Sequence, residues 1–352
     1  MPRVAAIDCG TNSIRLLITD LTRDEATSAV RGVDVARRME IVRLGAGVDA
    51  TGRLDAAALQ RTFAAVDSYA EMIRESGAER IRFVATSATR DAENAADFLT
   101  GVELRLGVVP EVVTGAEEAA LSFAGATNAL AETHPAPFGV VDIGGGSTEV
   151  VLGAPGAAAP GAAVPGVGTT GESGASGRSD DRGGSGASPA VTVAAALSVD
   201  VGCVRLTERH LRSDPPTPAE VAAARVDVDA ALDRVEAEVP LARIRTLVGV
   251  AGTVTTLAAA ALDLPRYDSS AIHASRHTVD GMLAVCDRVI RASRAERATW
   301  PFMHPGRVDV IGAGAVIWAA VVERVAERAG LAEVLVSEQD ILDGIAASLL
   351  AR

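Results

Sequence analysis

The chain has 352 residues, length enough for two domains, and 48% of them are hydrophobic, so each domain can bury a core of its own. A net charge of -13 argues against nucleic acid as a partner, since duplex binding shows as a basic face; a small polyanion held by a local arginine cluster stays open. Three scattered cysteines without CxxC spacing point to reduced thiols in a cytoplasm, the start MPRVAAID lacks the marks of a secretory signal, and the longest apolar run, Val310 to Val322, is too short and too rich in Gly and Ala to span a membrane.

In chain order, the first element is a hairpin. Val4 to Ile18 reads as an apolar strand, the turn Asp8-x-Gly10-Thr11-Asn12-Ser13, and a second apolar strand. Asp55 to Ser76 carries Leu59, Phe63, Val66, Ala70 and Ile73 on one helical face. Ile81, Phe83 and Ala85 alternate as a strand, and Thr86 to Arg90 reads as a polar loop after it. Thr114 and Glu117 have capping-box spacing at the start of the next helix, which gives Glu117 a structural task. Glu118, rotated about 100° around the helix, has no local partner. It is either an ordinary surface acid or a group that orients water beside a phosphate site.

Val140 to Leu152 repeats the grammar of the first hairpin: apolar strand, Asp142-x-Gly144-Gly145-Gly146-Ser147, apolar strand. Two copies imply two similar α/β lobes with opposed turns. Glycine lets a ligand approach the backbone, and successive N–H groups form a nest for phosphate. Asp8 and Asp142, at the strand ends, can hold Mg²⁺ directly or through water, and Glu149 on the return strand can reach the same ion as Asp142. A plain glycine hairpin explains either copy taken alone.

From about residue 154 to 189 the chain is almost wholly Gly, Ala, Pro and Ser with a few charges, and reads as a disordered hairpin loop of no required function. Thr217 to Glu220 opens another helix with a capping box and Pro at its first position. Leu247 to Ala251 reads as a strand leading through Gly252 and Thr253 into an alanine-rich helix, whose N-terminus is a second kind of anion site. His273 and His277 lack the glutamate of a zinc motif and read as polar cleft or surface residues; Arg205, Arg209 and Arg212 fit an anion path or a solvated helix face equally. Gly312-Ala313-Gly314 reads as close helix packing, and Cys9 as a small packed residue.

Taken together, Asp8–Ser13, Ala85–Arg90, Thr114–Glu118, Asp142–Glu149, Gly202–Glu208, Gly252–Leu257 and His304–Asp309 resemble, in order, the motifs of the exopolyphosphatase/guanosine pentaphosphate phosphohydrolase (Ppx/GppA) phosphatase family. The resemblance runs from residue 3 to about residue 350. It implies the two-lobed actin-like ATPase (ribonuclease H-like) α/β superfold with a cleft between duplicated domains. On that pattern residues 1–124 form the first domain, with the C-terminal helix 337–352 returning to it, and 125–336 the second, containing the insertion 154–189.

The same resemblance implies site roles. Glu118 matches the catalytic carboxylate that activates water, and Arg90 an arginine near the terminal phosphates. Asp142 and Glu149 match the Mg²⁺-associated acids. Gly144, Gly145, Gly146 and Ser147 match one phosphate loop, and Gly10, Thr11, Asn12 and Ser13 the facing one. Gly252 and Thr253 would help bind the chain or a nucleotide. The chain stops soon after Ser337–Gly344, which predicts a short form without the extra C-terminal helical domains of long members, and shorter substrates. The expected reaction is release of terminal phosphate from inorganic polyphosphate in a cytoplasm, with no nucleic acid or membrane partner and a homodimer left open. The alternatives are removal of the 5′-terminal phosphate of guanosine pentaphosphate, a sugar kinase or actin-like ATPase, and a polyphosphate- or nucleotide-binding regulator.

Overall fold

The computed structural model describes residues 1–24, 30–155 and 191–350. All but the first two residues of the predicted insertion 154–189 lie outside them, and residues 154 and 155 extend a strand.

The strands are β1 (Arg3–Cys9), β2 (Ser13–Arg23), β3 (Val30–Ile41), β4 (Arg80–Ala85) and β5 (Glu111–Val112), then β6 (Phe138–Ile143), β7 (Thr148–Pro155), β8 (Val191–Val199), β9 (Thr246–Val250), β10 (Ser275–Thr278) and β11 (Glu333–Val336). Among the described residues they form two mixed sheets, ordered β3-β2-β1-β4-β5 and β8-β7-β6-β9-β11-β10. In each, a central strand pairs antiparallel with its hairpin partner and parallel with the next crossover strand. Apart from the added antiparallel strand β10, the second sheet repeats the first. This is the duplicated α/β architecture that the two hairpins predict.

The central strands are nearly continuous apolar runs because both faces are covered. In the first half the helix Ala56–Ser76 lays Leu59, Val66, Tyr69 and Ile73 on one face of the sheet. Its start is fixed by Asp55, whose side chain accepts from the Ala57 and Ala58 N–H groups, and it ends at Gly77 with φ of 70°. The opposite face is covered by the C-terminal helix Ile341–Ser348, whose Ile341, Leu342 and Ile345 pack with Val4, Ala6 and Val84. In the second half the helix Ile311–Ala329 buries Trp318 completely, and Gly314 makes room there for Thr253.

The helix Gly115–Thr127 sits between the halves. Ala119 and Phe123 pack against Phe138, Val140 and Val248 of the second sheet, and the buried Phe123 ring alone stabilises this seat by roughly 2–3 kcal/mol. On its other side it meets the C-terminal helix backbone to backbone. A Cβ on Gly125 would lie 1.8 Å from the Asp340 carbonyl oxygen, and one on Gly344 would lie 2.0 Å from the Leu121 carbonyl oxygen.

Two local expectations are corrected. Thr86 to Arg90 is not a polar loop: Ser87–Arg90 form a single helical turn, with Thr86, Ser87 and Thr89 buried and Ser87 set against Gly146 of the second half. The strand before Gly252 ends at Val250, and Ala251 already opens the helix Ala251–Ala261. Among the described residues no helix is long and apolar enough to cross a membrane.

Candidate active site

Both glycine turns have the same closure. The Gly10 N–H donates to the Ser13 carbonyl at 3.0 Å, and the Gly144 N–H donates to the Ser147 carbonyl at 3.0 Å. The turns abut across the cleft: a Cβ on Gly145 would come within 2.8 Å of Thr11 Cβ, so only glycine allows this approach. Thr11 Oγ1 and Ser87 Oγ share a hydrogen bond of 3.0 Å beside Gly146. The opposed backbone nests therefore form one concavity.

Of the residues singled out from the sequence, Asp8, Gly10, Thr11, Asn12, Ser13, Glu118, Asp142, Gly144, Gly145, Ser147, Gly252 and Thr253 line this single cleft. Gly146, Arg90 and Glu149 stand behind its wall. Gly146 backs onto Thr11 and Ser87. Arg90 forms an ion pair with Glu118 at 3.2 Å and donates to the Val113 carbonyl at 2.9 Å. Glu149 lies directly opposite Asp142 in the β6–β7 pair, accepts from Ser198 Oγ at 2.7 Å, and is 1% exposed.

Crowding sets the electrostatics. Burial, then the charge of Glu149, push the Glu118 carboxyl well above the usual range, and Arg90 opposes this. Burial, Glu149 and Asp340 raise Asp142, against a hydrogen bond from Ser122. Burial raises Glu149, against hydrogen bonds from Ser198 and Ser147. Three oxygen-donor side chains thus converge in a low-dielectric site. Among the described residues no group of three His, Cys, Asp or Glu closes into a metal cage. His273 and His277 lie apart, at the end of the short helix Ser269–Ile272 and within β10.

The floor of the cleft is the start of the helix Ala251–Ala261. Ala251 takes φ of 65°, a left-handed conformation that costs a residue with a Cβ about 1–3 kcal/mol. Gly252 follows because Arg307 lies against it: a Cβ there would be 2.5 Å from the guanidinium carbon. Arg307 donates to Thr256 Oγ1 at 3.0 Å and lines the cleft.

A model of the Ppx/GppA phosphatase family matches residues 26–349. The chain belongs to the Ppx/GppA phosphatase family. It is 47% identical to exopolyphosphatase 2 of Mycobacterium tuberculosis (strain CDC 1551 / Oshkosh), over 99% of each chain. It is 27% identical to a guanosine-5′-triphosphate,3′-diphosphate pyrophosphatase of Aeromonas salmonicida (strain A449), over 92% of this chain and 55% of that one. A crystal structure of an exopolyphosphatase-like protein superimposes with a TM-score of 0.84 at 41% identity, covering 99% of this chain and 98% of that one. The actin-like fold of Ppx/GppA proteins is therefore the fold of this chain.

Sequence reasoning missed four functional neighbours. Arg15 donates to Asp8 at 2.7 and 2.9 Å and also pairs with Asp340. Its signal was a lone arginine within the apolar strand Ile14–Ile18. Ser122, one helical turn after Glu118, donates to Asp142 from a fully buried position. Arg307 lies in the His304–Asp309 motif, but its contact with Thr256 and Gly252 was not legible there, and Ser198 had no local signal, because their partners are far away in the chain.

Proposed function

We propose that this protein is an exopolyphosphatase that releases the terminal phosphate of inorganic polyphosphate by attack of water. The observation that carries this reading is the convergence of Glu118 with two matched backbone nests on one cleft. The nests and the helix start at Gly252 and Thr253 present N–H donors to the terminal phosphates. Glu118, its proton affinity raised by burial, accepts a proton from water as the oxygen attacks phosphorus. The bond from that phosphorus to the bridging oxygen breaks, and the chain leaves one unit shorter. Arg90 holds the Glu118 carboxylate in place.

Asp142 and Glu149 are the groups that would hold Mg²⁺, and Asp8, already paired with Arg15, would reach it only through water. An all-oxygen set in which burial raises Asp142 and Glu149, and Glu149 raises Asp142 further, fits a hard divalent cation that keeps water and phosphate ligands. Bound there, Mg²⁺ would supply positive charge to the phosphoryl oxygens. Three buried cysteines and the absence of nucleic-acid-like charge fit cytoplasmic action on a small polyanion.

The test is phosphate release by Glu118→Gln from polyphosphate and, in parallel, from guanosine pentaphosphate. Turnover should fall about a thousandfold while the protein still binds the chain. Retained turnover would remove Glu118 from the reaction. A wild type that prefers guanosine pentaphosphate would replace the substrate with the one named in the Aeromonas relative.

A further inference from the structure

The catalytic cleft holds the end of a substrate whose remaining phosphates must leave the protein somewhere. The structure offers two directions. Behind the abutting turns, Thr11 and Gly146 face Asp49, Asp91, Arg205 and Glu208, and only about 10 Å³ remains there, scarcely one water. That side is stitched shut between the halves. Arg205 pairs with Asp49 at 2.9 Å and with Asp91 at 2.5 Å, Arg209 pairs with Asp49 at 2.7 Å, and the Gly47 N–H donates to Glu208 at 3.1 Å.

On the other side Arg15, Ala251, Gly252 and Arg307 line both the catalytic cleft and a second space of about 430 Å³. Its walls are β3, which brings Arg37 and Arg38, and the segment 301–307. Of its apolar members Phe302, Met303 and Leu342 are nine-tenths buried or more, while Met39, Tyr267, Pro301 and Pro305 are partly or largely exposed around its rim. Its arginines, Arg15, Arg37, Arg38 and Arg307, outnumber its two carboxylates, Glu338, which accepts from Tyr267, and Asp340, which is paired with Arg15. Arg37 is neutralised by Asp34 and Asp343. Arg38 donates only to the Arg37 carbonyl at 3.0 Å and Arg307 to a threonine hydroxyl; among the described residues neither forms an ion pair. In a chain of net charge -13, unpaired guanidinium groups beside a phosphate site form a local anion track.

Building on the exopolyphosphatase reading, we propose that the polyphosphate tail leaves the catalytic cleft through this side space, across Arg307 and then Arg38, and that contact with Arg38 raises kcat/KM for chains long enough to reach it. A uniformly charged polymer needs spaced cations and an open passage, and this side has both.

The experiment compares kcat/KM for tripolyphosphate with that for a chain of tens of phosphates. In Arg38→Ala the long-to-short ratio should fall about fivefold, as expected for one partly exposed arginine–phosphate contact, and further in Arg38→Glu. Arg212→Ala, an exposed arginine of the second half outside this space, should leave the ratio as in wild type. A ratio within twofold of wild type in both Arg38 variants would overturn the route. So would a fall in the long-to-short ratio in Arg205→Ala with Arg209→Ala, which would send the tail through the stitched side. If the wild type released phosphate from no chain of any length, the function reading would fall and the route with it.

Discussion

The two glycine turns are copies in backbone and opposites in charge. Each closes on its serine at the same distance, and each places an aspartate on the central strand. The residue paired with that aspartate across the hairpin is Arg15 in the first turn and Glu149 in the second. In the first half Asp8 is therefore neutralised by a guanidinium that also binds Asp340. In the second half Asp142 faces another acid and is relieved only by the Ser122 hydroxyl and more distant charges. A duplicated loop can thus divide its labour by one side chain: the first copy is internally balanced, while the second keeps a surplus of negative charge that suits a cation.

Glu149→Arg makes the second turn a charge copy of the first. It should lower kcat at least about a hundredfold, the scale of a lost metal contribution of several kcal/mol. Glu149→Gln should lose as much, and phosphate-release assays on both, with circular dichroism to confirm folding, are the check. Equal activity in either variant would mean that the contrast between the turns has no chemical meaning.

Arg15→Gln attacks the balanced copy. It leaves Asp8 and Asp340 buried without their common cation, which should cost about 3–5 kcal/mol in urea unfolding. A loss below about 1 kcal/mol, the range of an exposed pair, would show that the balance in the first turn is superficial.

The surplus in the second turn has a pH signature. Burial and Glu149 raise the proton affinity of folded Asp142. The unfolded chain releases that proton near pH 4, so above this the folded state binds more protons, and this group costs stability as pH rises toward neutral. Asp142→Asn lacks the term. In EDTA its Tm relative to wild type should climb between about pH 5 and 8. A difference that stays flat with pH would contradict the crowding of Asp142 and Glu149.

The smallest effect belongs to Glu117, whose carboxylate closes the capping box with Thr114 at 3.0 Å while its neighbour Glu118 faces the cleft. Glu117→Gln should reduce stability by up to about 1 kcal/mol and leave kcat at the wild-type value. A large kcat loss there would reverse the assignment within the pair.

Much of this was legible from local pattern. The turns were readable because Asp, Gly and Ser at fixed offsets impose a backbone shape within a few residues. The cap at Thr114 and Glu117 was readable for the same reason, and it isolated Glu118. What escaped was non-local. Ser122 and Ser198 look like ordinary helix and strand residues until the fold sets them against Asp142 and Glu149. The turn Ser87–Arg90 was misread as a loop because its serine and threonines are polar by type, and their burial, with Ser87 against Gly146 of the second half, comes from distant parts of the chain. The left-handed conformation fell on Ala251 rather than on Gly252, because the glycine is needed to admit Arg307.

The crossing of the helices Gly115–Thr127 and Ile341–Ser348 has a consequence for how this protein tolerates change. Their backbones touch at Gly125 and Gly344 with no side chain between them. The Leu121 carbonyl that meets Gly344 is less than one helical turn from Glu118. A single methyl group at either glycine must push apart the segment joining the halves and the segment that ends the described chain. In a saturation survey these two positions should be as intolerant as the acids, although neither would touch a substrate.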